Sequence, residues 1–365
     1  MSALPEAPGG EFELIERLLA RLGESAATSI LVPPGDDAAA WVTPPGAATV
    51  ASVDTLTEGT HWRADTMSYA DVGWRAASTA LSDLAAMGAQ PNALLVAAVL
   101  GPALTLEQLD AFADGLAEGC AAHDVRVAGG DVVRGVATSF SVTVVGHVSP
   151  GVEGAPPPLL RRDAARPGDA VAVSGTLGAA AAGLALIDAG RAADAATEAT
   201  VAPLLAAHRR PRARLGLGRA ALDAGVRCAI DVSDGLLQDL GHIALASGVA
   251  IEVELGALPL HPAALALLGE AAARDLALGG GDDYELALAG PVEALAVLAG
   301  GQPSVTVIGR VGASSTSAGA LRGAAAGVEG TRGAVRVLDG RGEPYAAPDG
   351  GWDQLRSAAR PAKQP

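Results

Sequence analysis

Acidic residues recur in this chain at one kind of place, just past a short apolar run and beside glycine. They read Gly35-Asp36-Asp37, Ser52-Val53-Asp54, Ser82-Asp83, Gly129-Gly130-Asp131, Asp231-Val232-Ser233-Asp234-Gly235 and Gly281-Asp282-Asp283. Runs of this length between glycine turns suit the short strands of an α/β fold. Carboxylates at strand ends, with glycines that let backbone come close, suit Mg²⁺ carrying phosphate. An absence narrows this further. The only lysine is Lys363, in the C-terminal tail, so phosphate chemistry here cannot rest on a lysine inside the fold.

The totals exclude some partners. The 365-residue chain carries a formal net charge of −16, which argues against a nucleic-acid backbone or an anionic membrane surface. It does not argue against ATP, because bound metal ions invert the local sign. The two cysteines, Cys120 and Cys228, have no metal-type or redox spacing; buried free thiols and a reducing cytoplasm are the expectation. Glu6, Glu11 and Glu13 precede any apolar stretch, unlike a signal peptide. The uncharged run Ala170 to Ile187 raises a membrane question. Ser174-Gly175-Thr176 and Gly178 interrupt it, so it reads as a strand, a glycine turn and a helix in a soluble chain.

Helical spacing marks residues 12–22, 71–87 and the stretch after Thr105, where Thr105 and Gln108 form a capping box. Strands are expected at 47–53 (feeding Asp54), 93–100, Val125–Ala128 (running into Gly129-Gly130-Asp131) and along the alternating stretch Ser139–Val144. Residues 149–168, rich in Pro and Gly, are the best boundary. Beyond them, strands near 170–174, 228–231, 249–255, 284–289, 304–309 and 334–338 alternate with helices. The expected fold is α/β (α+β) with two domains, 1–150 and 151–365, and a loop at 312–330.

Taken singly, each acidic motif is weak, since Asp and Gly are ordinary turn residues. Asp231-Val232-Ser233-Asp234-Gly235 is more specific, because it precedes an amphipathic helix. Ser233 or Asp234 could simply cap that helix; alternatively the helix N-terminus and two carboxylates could hold metal and phosphate. Without an internal lysine neither a P-loop nor a protein-kinase site can exist. An ATP-using version of this chain must therefore neutralise phosphate with several divalent ions held by aspartates. Arg161 and Arg162 remain as cations for phosphate or as solvated surface. His61 follows Asp54 closely, and Trp352 is a rare aromatic suited to anchoring the tail or stacking on a flat or cationic ligand. No pattern for covalent catalysis is present.

Together and in order, these motifs resemble the thiamine-monophosphate kinase family. The matching stretches are Glu11–Ile15, Gly35–Ala39, Asp54–Trp62, Leu81–Ala89, Gly129–Asp131, Asp231–Leu236, Gly280–Leu286 and Gly351–Asp353. That family shares an ATP-binding superfamily with aminoimidazole ribonucleotide synthetase, selenophosphate synthetase and a hydrogenase-maturation protein. The resemblance implies an N-terminal domain whose sheet pairs with its twin in a homodimer, and a C-terminal domain with a mixed sheet packed beside it. It implies that Asp37, Ser52, Asp54, Asp83, Asp131, Asp231 and Asp234 bind Mg²⁺, with Val53 offering only its backbone carbonyl. Gly130, Asp131, Arg162 and Ser233 would contact ATP; His61, Asp282 and Trp352 would contact thiamine phosphate. Four departures stand out: Val53 for a usual threonine, Asp282 for a glutamate, Asp353-Gln354-Leu355 for Asp-His-Phe, and Pro34 for an aliphatic residue.

The implied reaction is direct transfer of the γ-phosphoryl of ATP to thiamine monophosphate, with no residue acting as acid or base and no phosphoenzyme. Two other readings stand beside it: another reaction of the superfamily, such as aminoimidazole ribonucleotide synthesis, and a non-catalytic nucleotide- and metal-binding regulator.

Overall fold

A computed structural model describes residues 10–22, 30–34, 36–152, 154–192, 198–313 and 334–347. Trp352, Gly35, Lys363 and nearly all of the expected 312–330 loop lie outside these residues.

The N-terminal half is a four-stranded sheet backed by two layers of helix. Strands β3 (Ala48–Thr57), β4 (Gln90–Leu100), β5 (Val127–Arg134) and β6 (Ser139–Val148) lie in the order β3-β6-β4-β5, antiparallel except for the β4–β5 pair. Helix α2 (Tyr69–Ala86) packs on one face of the sheet, and α3 (Leu106–Ala122) packs on α2. The α3 capping box is present as expected: Thr105 Oγ1 accepts from Gln108 N–H and Gln108 Oε1 accepts from Thr105 N–H. Phe112 of α3 stacks on Phe140 of β6 with ring centroids 3.6 Å apart, joining the outer helix to the sheet. Helix α1 (Gly10–Leu22) is tied to α3 by Arg17 to Asp110 and Arg21 to Asp114. A two-stranded ribbon, β1 (Ile30–Val32) with β2 (Ala40–Trp41), precedes the main sheet.

Two expectations about strand length need correction. β3 continues through Asp54 to Thr57, and β5 contains Gly129, Gly130 and Asp131 instead of ending before them. Those carboxylates therefore sit within ladders, not in turns after strands. Backbone pairing overrides the turn tendency of Gly and Asp when a neighbouring strand supplies partners. Gly130 is suited to that pairing, because a Cβ there would fall 2.1 Å from the Val96 carbonyl oxygen of β4.

The C-terminal half is a six-stranded mixed sheet in the order β12-β9-β11-β7-β10-β8. Its strands are β7 (Ala170–Ser174), β8 (Cys228–Asp231), β9 (Val249–Glu254), β10 (Leu286–Gly290), β11 (Val305–Ala313) and β12 (Val335–Leu338). Each strand expected from the sequence in this half is present. The uncharged run forms β7, a turn and helix α4 (Ala179–Asp188). No helix among the described residues is long and apolar enough to cross a membrane.

One apolar core spans both halves: Leu81, Leu84 and Val144 of the N-terminal layers share it with Leu222, Leu286 and Leu288. A second core, with Val171, Ile230, Leu240 and Ile251, fills the other side of the six-stranded sheet. Cys120 and Cys228 are buried free thiols, each pushed up to about 12 by burial.

Candidate active site

The two sheets meet where β3, α2 and β8 converge, and three of the expected metal carboxylates meet there with them. Cross-strand partners share a face, so Asp54 and Ser52, opposite the buried Val142 and Val144, point inward toward α2. The Ser52 hydroxyl donates to Asp83 Oδ2 across 2.5 Å. Asp83 lies in the last turn of α2, where the helix macrodipole disfavours an anion and no basic residue compensates. Asp231 ends β8 and is 4 % exposed.

Two of these carboxylates, Asp54 and Asp231, hold their protons more tightly than usual. Burial, then the Asp83 charge, pushes Asp54 up to about 6 against a partial pull from Arg75. Burial, Asp83 and Asp54 push Asp231 up to about 7, partly offset by the neighbouring Ser82 hydroxyl and Arg162. Like charges gathered out of water are costly unless a cation joins them. A set of hard oxygen donors fits a divalent ion of the Mg²⁺ type.

The 231–235 loop is shaped by a residue the sequence reading missed. Gly235, at φ 125°, begins α7 (Leu236–Ser247), and neither Ser233 nor Asp234 caps it. Asp239 reaches back from inside the helix instead, accepting from the backbone N–H of Ser233, Asp234 and Gly235 at 3.1 Å each. The plain-cap reading of Ser233 and Asp234 is thereby overturned, because a carboxylate at the fourth helical position takes those donors. Asp234 keeps its side chain for Gln238 Nε2 at 3.0 Å, and burial raises its proton affinity. Asp234, Asp239 and His242 each bring a ligand atom within 4.8 Å of the others. The spacing of Asp239 and His242 on one helix was the available signal. Arg162 is exposed beside this group, and its charge acts on Asp231, Asp234 and His242.

The Gly281–Glu285 segment is pinned against the same loop. Asp282 N–H donates to Ser233 O and Tyr284 N–H to Val232 O. Asp282 and Tyr284 both have positive φ, 73° and 50°, a strained backbone of the kind held at functional sites. Asp283 turns away to accept from Gly178 and Ala180 N–H at the start of α4, and burial raises it to about 7. Asp282 accepts from the fully buried Arg75 of α2 and from Tyr284 Oη. Arg75 also donates to His208 O at 2.6 Å and lies over the Tyr284 ring. Glu285, 4 % exposed, accepts from Arg214 and Ser174. Sequence patterning offered no sign of Arg75 or Arg214, whose partners are more than 70 residues away in the chain.

His61 Nδ1 accepts from Thr57 N–H at 3.0 Å. Burial and Arg75 hold the ring below its usual range, so it is neutral with its proton on Nε2. The structure thus brings together Ser52, Asp54, Asp83, Asp231, Asp234, Ser233, Arg162, His61 and Asp282. It leaves four residues apart. Asp37 is exposed on the loop before β2. Asp131, opposite Ala97 of β4, belongs to the far face of the sheet and lies three strands across from Asp54, roughly 14 Å at ordinary strand spacing. Gly130 lies beside it. The Val53 side chain, 60 % exposed, also points to that far face.

Residues 35–148 match the N-terminal domain, and residues 166–321 the C-terminal domain, of the AIR synthase related proteins; the chain belongs to that family. Its curated relatives include the thiamine-monophosphate kinase of Salmonella typhimurium, 38% identical over 276 residues (76% of this chain, 81% of the relative). The Mycobacterium tuberculosis thiamine-monophosphate kinase is 37% identical over 278 residues (75% and 79%). Within the family the chain therefore belongs with the thiamine-monophosphate kinases. A crystal structure of the Stenotrophomonas maltophilia thiamine-monophosphate kinase superposes with a TM-score of 0.72 at 41% identity, covering 86% of this chain and 96% of that one. AaThiL complexed with AMPPCP and TMP superposes with a TM-score of 0.69 at 28% identity, covering 96% and 98%. A hydrogenase maturation protein in complex with ATP shares the fold at 21% identity.

Proposed function

We propose that this chain transfers the γ-phosphoryl of ATP to the phosphate of thiamine monophosphate, giving thiamine diphosphate and ADP. The observation that carries the reading is the carboxylate group Asp54–Asp83–Asp231 at the junction of the two sheets, in a chain whose only lysine lies in the tail. Divalent cations, Mg²⁺ by the chemistry of the donors, would be held by these aspartates with Ser52 and Asp234, and would supply the positive charge that phosphate needs. Arg162 is the protein cation placed to add to it.

The acceptor is itself a phosphate monoester with a second pKa of ~6, so at neutral pH it is already a nucleophile. No base is required, and the protein's part is alignment and charge neutralisation. His61 and Asp282, both beside Arg75, would contact the thiamine end; Trp352 is the aromatic assigned to stack on it. Gly130, Ser233 and Asp131 complete the proposed ATP contacts, and Asp37 is a further proposed metal ligand.

We also propose a cytoplasmic homodimer built on the open face of the N-terminal sheet. That face carries Ala51, Val53, Leu95, Val99 and Val133, with Val53 60 % and Val133 46 % exposed. Apolar residues on an open sheet face suit a second sheet.

The deciding experiment is ADP release with ATP, Mg²⁺ and thiamine monophosphate, with phosphate-free thiamine and aminoimidazole ribonucleotide precursor as controls. Release only with thiamine monophosphate is expected. Release with the other acceptor selects the superfamily alternative, and no release with any acceptor selects the regulator.

A further inference from the structure

Buried polar atoms normally find partners, yet four around Arg75 do not: His61 Nε2, Arg75 Nε and both ring nitrogens of His208. His208 lies near the end of α5 (Glu198–Arg209) and is 4 % exposed. Its carbonyl already holds Arg75, and the Arg75 and Asp282 charges act on its ring as they do on that of His61. Two imidazoles from distant parts of the chain thus flank one Arg75–Asp282 pair with hydrogen-bonding capacity unused. Burial and Arg75 push His208 down to about 4, so at neutral pH it offers one donor and one acceptor. His61, with its Nδ1 occupied, offers a donor from Nε2. Near them in the chain, Arg209 donates to Thr66 O, and Arg63 pairs with Asp188 at the end of α4.

Resting on the kinase function above, we propose that His208, with His61 Nε2, recognises the aminopyrimidine ring of thiamine monophosphate. That ring presents nitrogen acceptors beside an exocyclic amine donor, the complement of two neutral imidazoles. A charged imidazole would repel the thiazolium-bearing substrate, and burial beside Arg75 keeps both rings uncharged. His208 is a specificity residue in this scheme and takes no part in the phosphoryl transfer itself.

The test is steady-state kinetics of the wild type, His208→Leu and His208→Asn, with thiamine monophosphate and with its 4-oxo analogue, oxythiamine monophosphate. The wild type should prefer the amino substrate by at least ~10-fold in kcat/KM, because an unmatched buried polar group penalises the wrong edge. His208→Leu should raise the KM for thiamine monophosphate by ~10-fold or more, leave the KM for ATP unchanged and bring the preference toward one. His208→Asn should restore part of it. An unchanged preference in a folded His208→Leu protein overturns the proposal. So does a wild type indifferent to the analogue, a measurement that needs no variant. A wild type inactive on thiamine monophosphate but active on another acceptor overturns the kinase function itself.

Discussion

Asp231 carries two opposed demands. Its charge is needed for the metal, and its surroundings resist that charge. Asp231→Asn or Asp54→Asn should lower kcat/KM by at least ~100-fold, the scale of losing one preorganised electrostatic group, while circular dichroism stays native. Turnover near the wild-type rate would refute the metal role. The same residue fixes a pH dependence. Its ordinary value is 3.8 and burial raises it to about 7 in the folded chain, so the folded state holds the proton more tightly than the unfolded state. Without metal, the stability from this group is fully present at low pH and declines as pH rises from 3.8 toward about 7. Thermal melts in chelator should show the Tm falling across that range. Asp231→Asn should flatten the fall and melt higher than wild type at pH 8, and Mg²⁺ should raise the wild type alone. A melting curve indifferent to both Asn and Mg²⁺ would contradict the account.

Among elements, the β8–α7 turn depends most on a single side chain. Asp239 supplies the cap that the turn's own residues do not. Asp239→Ala leaves three N–H groups without that acceptor and should destabilise the protein by about 2 kcal/mol, the upper end for a lost cap. Because the turn carries Ser233 and Asp234, kcat should fall with it. Urea unfolding and activity measured on one sample would check the pair; full activity with unchanged stability would show that the three bonds contribute nothing. The Thr105–Gln108 capping box and strand alternation were visible in sequence because their partners are three residues away or on the same strand. The Asp239 cap was not: its signal, an Asp four residues past Gly235, is common on helices for other reasons.

For the whole molecule, the open β3–β6–β4–β5 face and the location of Asp131 raise one linked question. Val53→Asp places a charge on an apolar position of that face that is 60 % exposed and should shift the protein toward monomer in sedimentation velocity. An unchanged dimer, or a wild-type monomer, would remove the proposed interface. If docking of two sheets is what brings Asp131 to a metal site, then mixing inactive Asp54→Asn and Asp131→Asn proteins should regain up to about a quarter of wild-type activity, since random exchange makes half the dimers mixed with one intact site each. No recovery after subunit exchange would place each site within one chain.

What the sequence determined by itself was local: alternating strands and helices, buried thiols, a lysine-free acidic chemistry, and the motif order that marks the family. These depend on short-range periodicity and on residue type. What only the tertiary structure decided was which aspartates meet. Asp54, Asp83 and Asp231 come from a strand, a helix and a second sheet, and their mutual repulsion exists only once those elements pack. Asp131 looks equivalent in sequence yet lies across the sheet on its other face, because a one-residue difference in register sends a side chain to the opposite side. Arg75 and His208 had no signal at all, since a buried arginine or an unpartnered imidazole is defined by its neighbours and by the exclusion of water.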